Sequence, residues 1–155
     1  MKKPNPEYIK RINAIVNTCP YFELLSMKLQ DMGIGYSVLE INLGNKHLQP
    51  YGMVHGGVFA SIIDAAAFWS VYFGLEDPHA GLITVDLKLN FLEPATSGRL
   101  IARGRQIKVG GRLGYAEAEV TDESGNVLTH GTSTVLILPD RAIKADPPLP
   151  AKFID

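Results

Sequence analysis

His55-Gly-Gly-Val-Phe-Ala-Ser-Ile-Ile-Asp64-Ala-Ala-Ala-Phe-Trp-Ser-Val-Tyr-Phe-Gly74 is the stretch that decides the fold. Two glycines follow the histidine, and a run of small and apolar side chains then continues with one carboxylate, Asp64, near its middle. The length suits one long helix, and the apolar character goes all the way round, so the helix is expected to be buried. A membrane span usually needs about 20 apolar residues, and Asp64 interrupts this run. A buried helix needs a wrapper. A carboxylate within it needs a partner or a task, because an unpaired buried charge is costly.

The flanking sequence supplies the wrapper as strands. Downstream, Ile83, Val85, Leu87, Leu89 and Phe91 alternate with Thr84, Asp86, Lys88 and Asn90, a period of two that ends at Pro94. Gly98–Val109 reads as the next strand and Gly110-Gly111 as a hairpin turn. Leu113–Thr121 and Val127–Leu138 follow, separated by the turn Asp122–Asn126. Upstream, Met27–Leu43 reads as two strands punctuated by Gly33 and Gly35, and Gly44–Met53 reads as a loop into the helix. Residues 6–18 read as an amphipathic helix with Ile9, Ile12, Ile15 and Val16 near one face, and Tyr21–Leu25 as one more turn. No alternation of strand and helix argues for a doubly wound sheet. The expected class is α+β, an antiparallel sheet wrapped around one long central helix. The expected organisation is an N-terminal helical arm over 1–25, one domain over 26–139, and a loose tail over 140–155 that carries Pro147, Pro148 and Pro150.

Composition narrows the function. With 155 residues, 46% hydrophobic and 20% charged, the chain is long enough for one well-filled core. A net charge of −1 gives no general attraction to nucleic acid or membrane. The single cysteine, Cys19, excludes an internal disulfide and a cysteine metal cluster. His47, His79 and His130 show no metal-ligand spacing, so no metal is expected. No Walker loop or dinucleotide fingerprint is present, and no separate cofactor is expected. Lys2 and Lys3 are followed by Pro4, Asn5 and Pro6 rather than an apolar segment, which favours a cytoplasmic location.

The stretch Gln49-Pro-Tyr-Gly-Met-Val-His55-Gly56-Gly57, with Asp64, Thr84-Val-Asp-Leu and Asn90-Phe-Leu-Glu-Pro-Ala after it, resembles the hotdog-fold acyl-CoA thioesterases over roughly residues 25–138. Within them it is similar to the phenylacetate-pathway group and to the Arthrobacter type of 4-hydroxybenzoyl-CoA thioesterase. In the latter the acid is Glu and a Thr follows it by four; here these positions are Asp64 and Phe68, so the phenylacetate type fits better. The resemblance implies that the Gly56 N–H polarises the thioester carbonyl and that Asp64 acts as base or nucleophile. It implies that Gln49 is the polar residue ahead of the glycines and that Thr84 positions water. It also implies homodimers that often pair into tetramers, with coenzyme A only as part of the substrate.

Physical chemistry supports the same assignment. First-turn N–H groups lack intrahelical partners, and the helix dipole adds partial positive charge, so an oxyanion near Gly56 is stabilised. Glycine also permits close approach of a substrate, so Gly57 is expected among the substrate-binding residues, although Gly56 and Gly57 could serve only a tight turn. Asp64 can activate water or attack as a nucleophile. Eight residues separate the two along one helix, about 12 Å. One carbonyl cannot reach both, so the expected site joins Gly56 of one subunit to Asp64 of another. His55 is expected to fix the loop through its imidazole. Arg103, Arg105, Lys108 and Arg112, read as a cluster around the Gly110-Gly111 hairpin, are either a solvated hairpin or a surface for coenzyme A phosphates. Phe59, Phe68, Trp69, Tyr72 and Phe73 could shape an aromatic-accepting pocket or simply fill the core. The competing functions are an acyl-CoA-sensing module without turnover and a hotdog-fold dehydratase or hydratase.

Overall fold

The computed structural model describes residues 2–155. The helix read over 55–74 forms as α3, Gly56–Tyr72, following α1 (Pro6–Asn17) and α2 (Pro20–Leu25). Around α3 lies a six-stranded antiparallel sheet. Its strands are β2 (Met27–Gly33), β3 (Tyr36–Asn42), β4 (Gly81–Phe91), β5 (Arg99–Val109), β6 (Leu113–Thr121) and β7 (Val127–Leu138). Their spatial order is β2-β3-β5-β6-β7-β4, so the strand after the helix crosses to the far edge. This is the expected α+β hotdog arrangement. The inner face is cut back to admit the helix backbone: a Cβ on Gly104 would collide with the Ala66 carbonyl, which instead accepts a hydrogen bond from Ser37 Oγ at 2.6 Å. Ile62, Ile63, Ala66, Ala67 and Val71 are fully buried against the sheet, each large side chain contributing about 1.5–3 kcal/mol by its transfer from water. Among the described residues no helix is long and apolar enough to cross a membrane.

Two readings of the pattern need correction. The helix is not buried all round. Gly57, Ala60, Ser61, Asp64 and Phe68 recur at helical spacing and keep partial exposure along one stripe. The sheet's two edge strands, β2 and β4, flank that stripe and do not close over it. The even alternation of β4 also breaks. A β-bulge between Thr84 and Asp86 inserts one residue against β7. Before it, Leu82 and Thr84 point toward the helix; after it, Leu87 and Leu89 do. Ile83 and Val85, expected with the apolar face, are 49% and 55% exposed. An extra residue in one strand re-aims every side chain beyond it, which periodicity alone does not reveal.

The terminal segments also differ from expectation. Tyr8, Ile12 and Val16, at i+4 spacing, form the buried stripe of α1, and Asn17 ties its end to β2 through both Nδ2 and Oδ1 to the Leu29 backbone. The tail, expected to be loose, is held down. β8 (Phe153–Ile154) pairs with β1 (Lys3–Pro4), and Arg11 donates to the carbonyls of Pro147 and Pro148. Lys152 is only 3% exposed. Its ammonium donates to Tyr72 O at 2.7 Å and Leu75 O at 3.1 Å and lies 4.2 Å from the Tyr72 ring centroid. Carbonyls at a helix C-terminus have no intrahelical donors and carry the negative end of the dipole, which favours a cation there. Burial pushes the Lys152 pKa down to about 8, still above neutrality, so the group works as a cation at pH 7. Lys152→Ala is expected to lower stability by about 2 kcal/mol or more, since charged hydrogen bonds are lost and a cavity opens among aromatic rings. Denaturant unfolding at fixed protein concentration measures this; a midpoint equal to wild type would show that the Lys152 ammonium contributes nothing to the stability of the fold.

Candidate active site

The entrance to α3 is assembled by two histidines. His47, in a 3-10 turn over Asn45–His47, is buried and uses both ring nitrogens: Nδ1 accepts from Gly44 N–H at 2.9 Å and Nε2 donates to Leu25 O at 2.7 Å. Its carbonyl accepts from His55 N–H at 2.8 Å, which fixes where the helix begins. His55 is the N-cap, its Nδ1 accepting from Gly57 N–H at 2.8 Å. The two glycines therefore have different reasons. A Cβ on Gly57 would stand 2.9 Å from His55 Nδ1, so the cap itself requires glycine there. Gly56 has no left-handed φ, and a Cβ on it would touch only the Phe91 ring, at 3.4 Å. Neither the turn nor internal packing demands glycine at 56. Among the described residues its N–H meets no acceptor, as the first-turn geometry dictates.

Asp64 lies on the open stripe of α3, and the β4 bulge brings Thr84 to it. Thr84 Oγ1 donates to Asp64 Oδ1 at 2.8 Å. Burial raises the Asp64 pKa above the usual aspartate value, and the Thr84 hydrogen bond offsets part of that rise. A carboxylate held by one hydroxyl and poorly solvated is a stronger base than one in bulk water.

The structure keeps Gly56 and Asp64 in separate cavities of one chain. Gly56 lines one of about 360 Å³ with Gln49, Phe59 and Phe91, whose rings meet edge to face at 6.3 Å. Gln49 Oε1 accepts from Tyr51 N–H there. Asp64 lines a second cavity, of about 380 Å³, with Phe68 and Trp69. Of the other aromatics expected near a pocket, Tyr72 and Phe73 pack instead on Tyr8 and Lys152 in the core.

The four basic residues do not form one cluster. Arg103 and Arg105 stand on the outer face of β5, beside a groove that also holds Tyr36, Glu117 and His130. Arg105 Nε donates to Glu117 Oε1 at 2.9 Å, and Arg103 donates to Thr121 Oγ1 at 3.3 Å. The Arg105 and His130 hydrogen bonds hold the Glu117 carboxyl below its ordinary pKa. Arg112 lies at the C-terminal end of α3, lining a cavity with Gly74 and Leu75. A bulge between Gln106 and Lys108 separates Lys108 from the two arginines.

Two residues near the site have no signature in the sequence. His47 lies in the loop read over Gly44–Met53, where it stands out only as a lone histidine without metal-ligand spacing, and its role depends on Leu25 and His55 coming together. Tyr21 reads as part of a short apolar turn, yet its hydroxyl lies 2.6 Å from Ser61 Oγ on α3.

Comparison with known proteins identifies the family. The family model of the Thioesterase superfamily matches residues 51–129, just over half of the chain, and includes Gly56, Asp64 and Thr84. A Halobacterium salinarum relative that carries a provisional esterase name is 34% identical over 113 residues, covering 70% of this chain and 74% of its own. The 1,4-dihydroxy-2-naphthoyl-CoA hydrolase of Listeria monocytogenes is 24% identical over 115 residues, covering 74% of this chain and 93% of its own. Among solved structures, a thioesterase of Haemophilus influenzae superposes with a TM-score of 0.79 at 18% identity, over 90% of this chain and 96% of that one. The match spans the helix that carries Gly56 and Asp64 and the strand that carries Thr84, and the chain belongs to the thioesterase superfamily.

Proposed function

We propose that the chain hydrolyses acyl-CoA thioesters to the free acid and coenzyme A, at a site completed by two copies of the chain. One observation carries the reading. Asp64, held by Thr84, lies on the one stripe of α3 left uncovered, while Gly56, whose N–H has no acceptor among the described residues, lines a different cavity about 12 Å away along the same helix. Each chain thus holds two half-sites, and a second copy packed antiparallel on the stripe brings the complementary halves together. Asp64 serves as base or nucleophile, the Gly56 N–H stabilises the oxyanion, and Gln49 lines the Gly56 cavity. His55 holds the entrance by binding the Gly57 N–H. Among the described residues Arg103, Lys108 and Arg112 have no carboxylate partner, whereas Arg105 is taken by Glu117; Arg103 and Arg112 lie on different surfaces, so each is a separate candidate contact for the coenzyme A phosphates and not part of one patch. The CoA ester named for the Listeria relative supports this substrate class. Asp64 followed by Phe68 favours the phenylacetate type over the Arthrobacter type.

Release of free thiol from a panel of acyl-CoAs tests the reading. Turnover is expected; tight binding without turnover would assign the chain to acyl-CoA sensing. The pH profile adds a signature of Asp64. Its raised pKa places the acid limb of kcat/KM above the ordinary aspartate range, with activity falling as pH drops through it. Thr84→Val removes the hydrogen bond that lowers the pKa and should move the limb to higher pH. An unchanged limb in that variant would mean that another group titrates.

A further inference from the structure

Outside the proposed chemistry, one element reaches the Asp64 cavity from far away in the sequence. The arm helix α2 ends at Ser26, whose φ of 52° turns the chain sharply into β2. Its neighbouring aromatics have opposite environments: Phe22 is buried and anchors the helix, whereas Tyr21 is 53% exposed. Exposed tyrosines are ordinarily free to swing, but this one is tethered. Ser61 Oγ donates its only proton to Gly57 O at 2.8 Å, so Tyr21 donates to Ser61 at 2.6 Å. Ser61 lies three positions before Asp64, and such pairs are neighbours on a helix, about 5–6 Å between Cβ atoms. The phenol is therefore pinned within about one turn of the carboxylate. Tyr21 and Phe22 form the arm's side of the 380 Å³ cavity; Phe68, Trp69 and Leu87 complete an apolar lining in which Asp64 is the charged group.

We propose that Tyr21 is a specificity-determining residue, the tethered wall by which the N-terminal arm selects bulky apolar acyl groups over acetyl. The proposal rests on the thioesterase reading. An apolar cavity of about 150 Å³ accommodates benzene; this one is larger in the single chain and opens toward the face on which the second copy packs, so acetyl fills only a small part of it. A larger acyl group reaches the tyrosine ring and removes its face from water, a gain that grows with each methylene buried. Acetyl is too short to touch that wall.

Steady-state thiol release with acetyl-, hexanoyl- and benzoyl-CoA is compared for wild type, Tyr21→Ala, Tyr21→Phe and Ser61→Ala. Wild type should favour hexanoyl and benzoyl over acetyl. Tyr21→Ala should lower kcat/KM for both by about tenfold or more, chiefly through KM, a range typical of one apolar pocket contact, and leave acetyl within about twofold. Tyr21→Phe and Ser61→Ala release the tether but keep the ring, and both should produce a smaller loss with the same substrate order. Equal losses on all three substrates, or a size preference untouched by Tyr21→Ala, would overturn the assignment while leaving the hydrolase reading intact. Trp69, the one tryptophan of the chain, lines the cavity and reports binding separately from turnover. Hexanoate and benzoate should change its fluorescence, more weakly in Tyr21→Ala. That result without thiol release from any substrate would sink the hydrolase reading and keep the pocket; no Tyr21-dependent change would remove the pocket.

Discussion

Replacing Asp64 by Asn is expected to lower thioester hydrolysis by at least about a hundredfold, the usual scale for loss of a general base, and to leave the fold as stable as wild type or more so. The catalytic half follows from position: Asp64 is the charged group in the cavity beside Thr84, and an amide of equal size can neither accept a proton nor attack. The stability half follows from linkage. Burial raises the pKa of Asp64 in the folded chain, so folding takes up protons at this residue. The ionised form therefore opposes folding at neutral pH, and that penalty fades as pH falls through the raised pKa. Asparagine removes it. The difference in melting temperature between variant and wild type should be greatest near neutrality and shrink in acid. A variant that loses activity together with stability would make Asp64 structural instead.

Replacing Gly56 by Pro is expected to reduce kcat by about a hundred- to a thousandfold, the effect of deleting one oxyanion donor, with little disturbance of the helix. Proline is favoured at the first helical position, where its missing N–H breaks no internal bond. His55, at φ −62° and ψ 136°, already has the extended conformation that a following proline requires. Gly56→Ala is the control, because it keeps the N–H and places its methyl against Phe91. Circular dichroism and kcat on the three proteins decide the matter. Equal losses in Pro and Ala variants would point to crowding of the substrate rather than to a lost donor.

The parts of this account visible in the sequence are those governed by local rules. The helix over 55–74 follows from its unbroken apolar run, the hairpins from Gly110-Gly111 and Asp122–Asn126, and the N-terminal helix from its spacing. The features that escaped are those set by distant contacts. The bulge at Val85 shows no mark in a strand that alternates evenly, yet it decides that Thr84 faces Asp64. Lys152 sits in a proline-rich tail that the sequence leaves loose, and only the carbonyls of Tyr72 and Leu75, at and just past the end of α3, explain its burial. The open stripe on α3 was hidden because alanine, serine and phenylalanine suit a sheet-covered face and an uncovered one equally well. Arg103 and Arg112 lie near each other in the sequence, but the length of β5 and the hairpin carry them to different surfaces.

The central claim is that a working site takes Asp64 from one copy and Gly56 from another. The most direct measurement mixes Asp64→Asn with Gly56→Pro, each nearly inactive alone, under conditions where native mass spectrometry shows that subunits exchange. Every mixed dimer then holds one intact and one doubly damaged site. At equal mixing about a quarter of wild-type activity should return, since half of the dimers are mixed and each has one working site of two. Full subunit exchange with no recovery of activity would contradict the shared site.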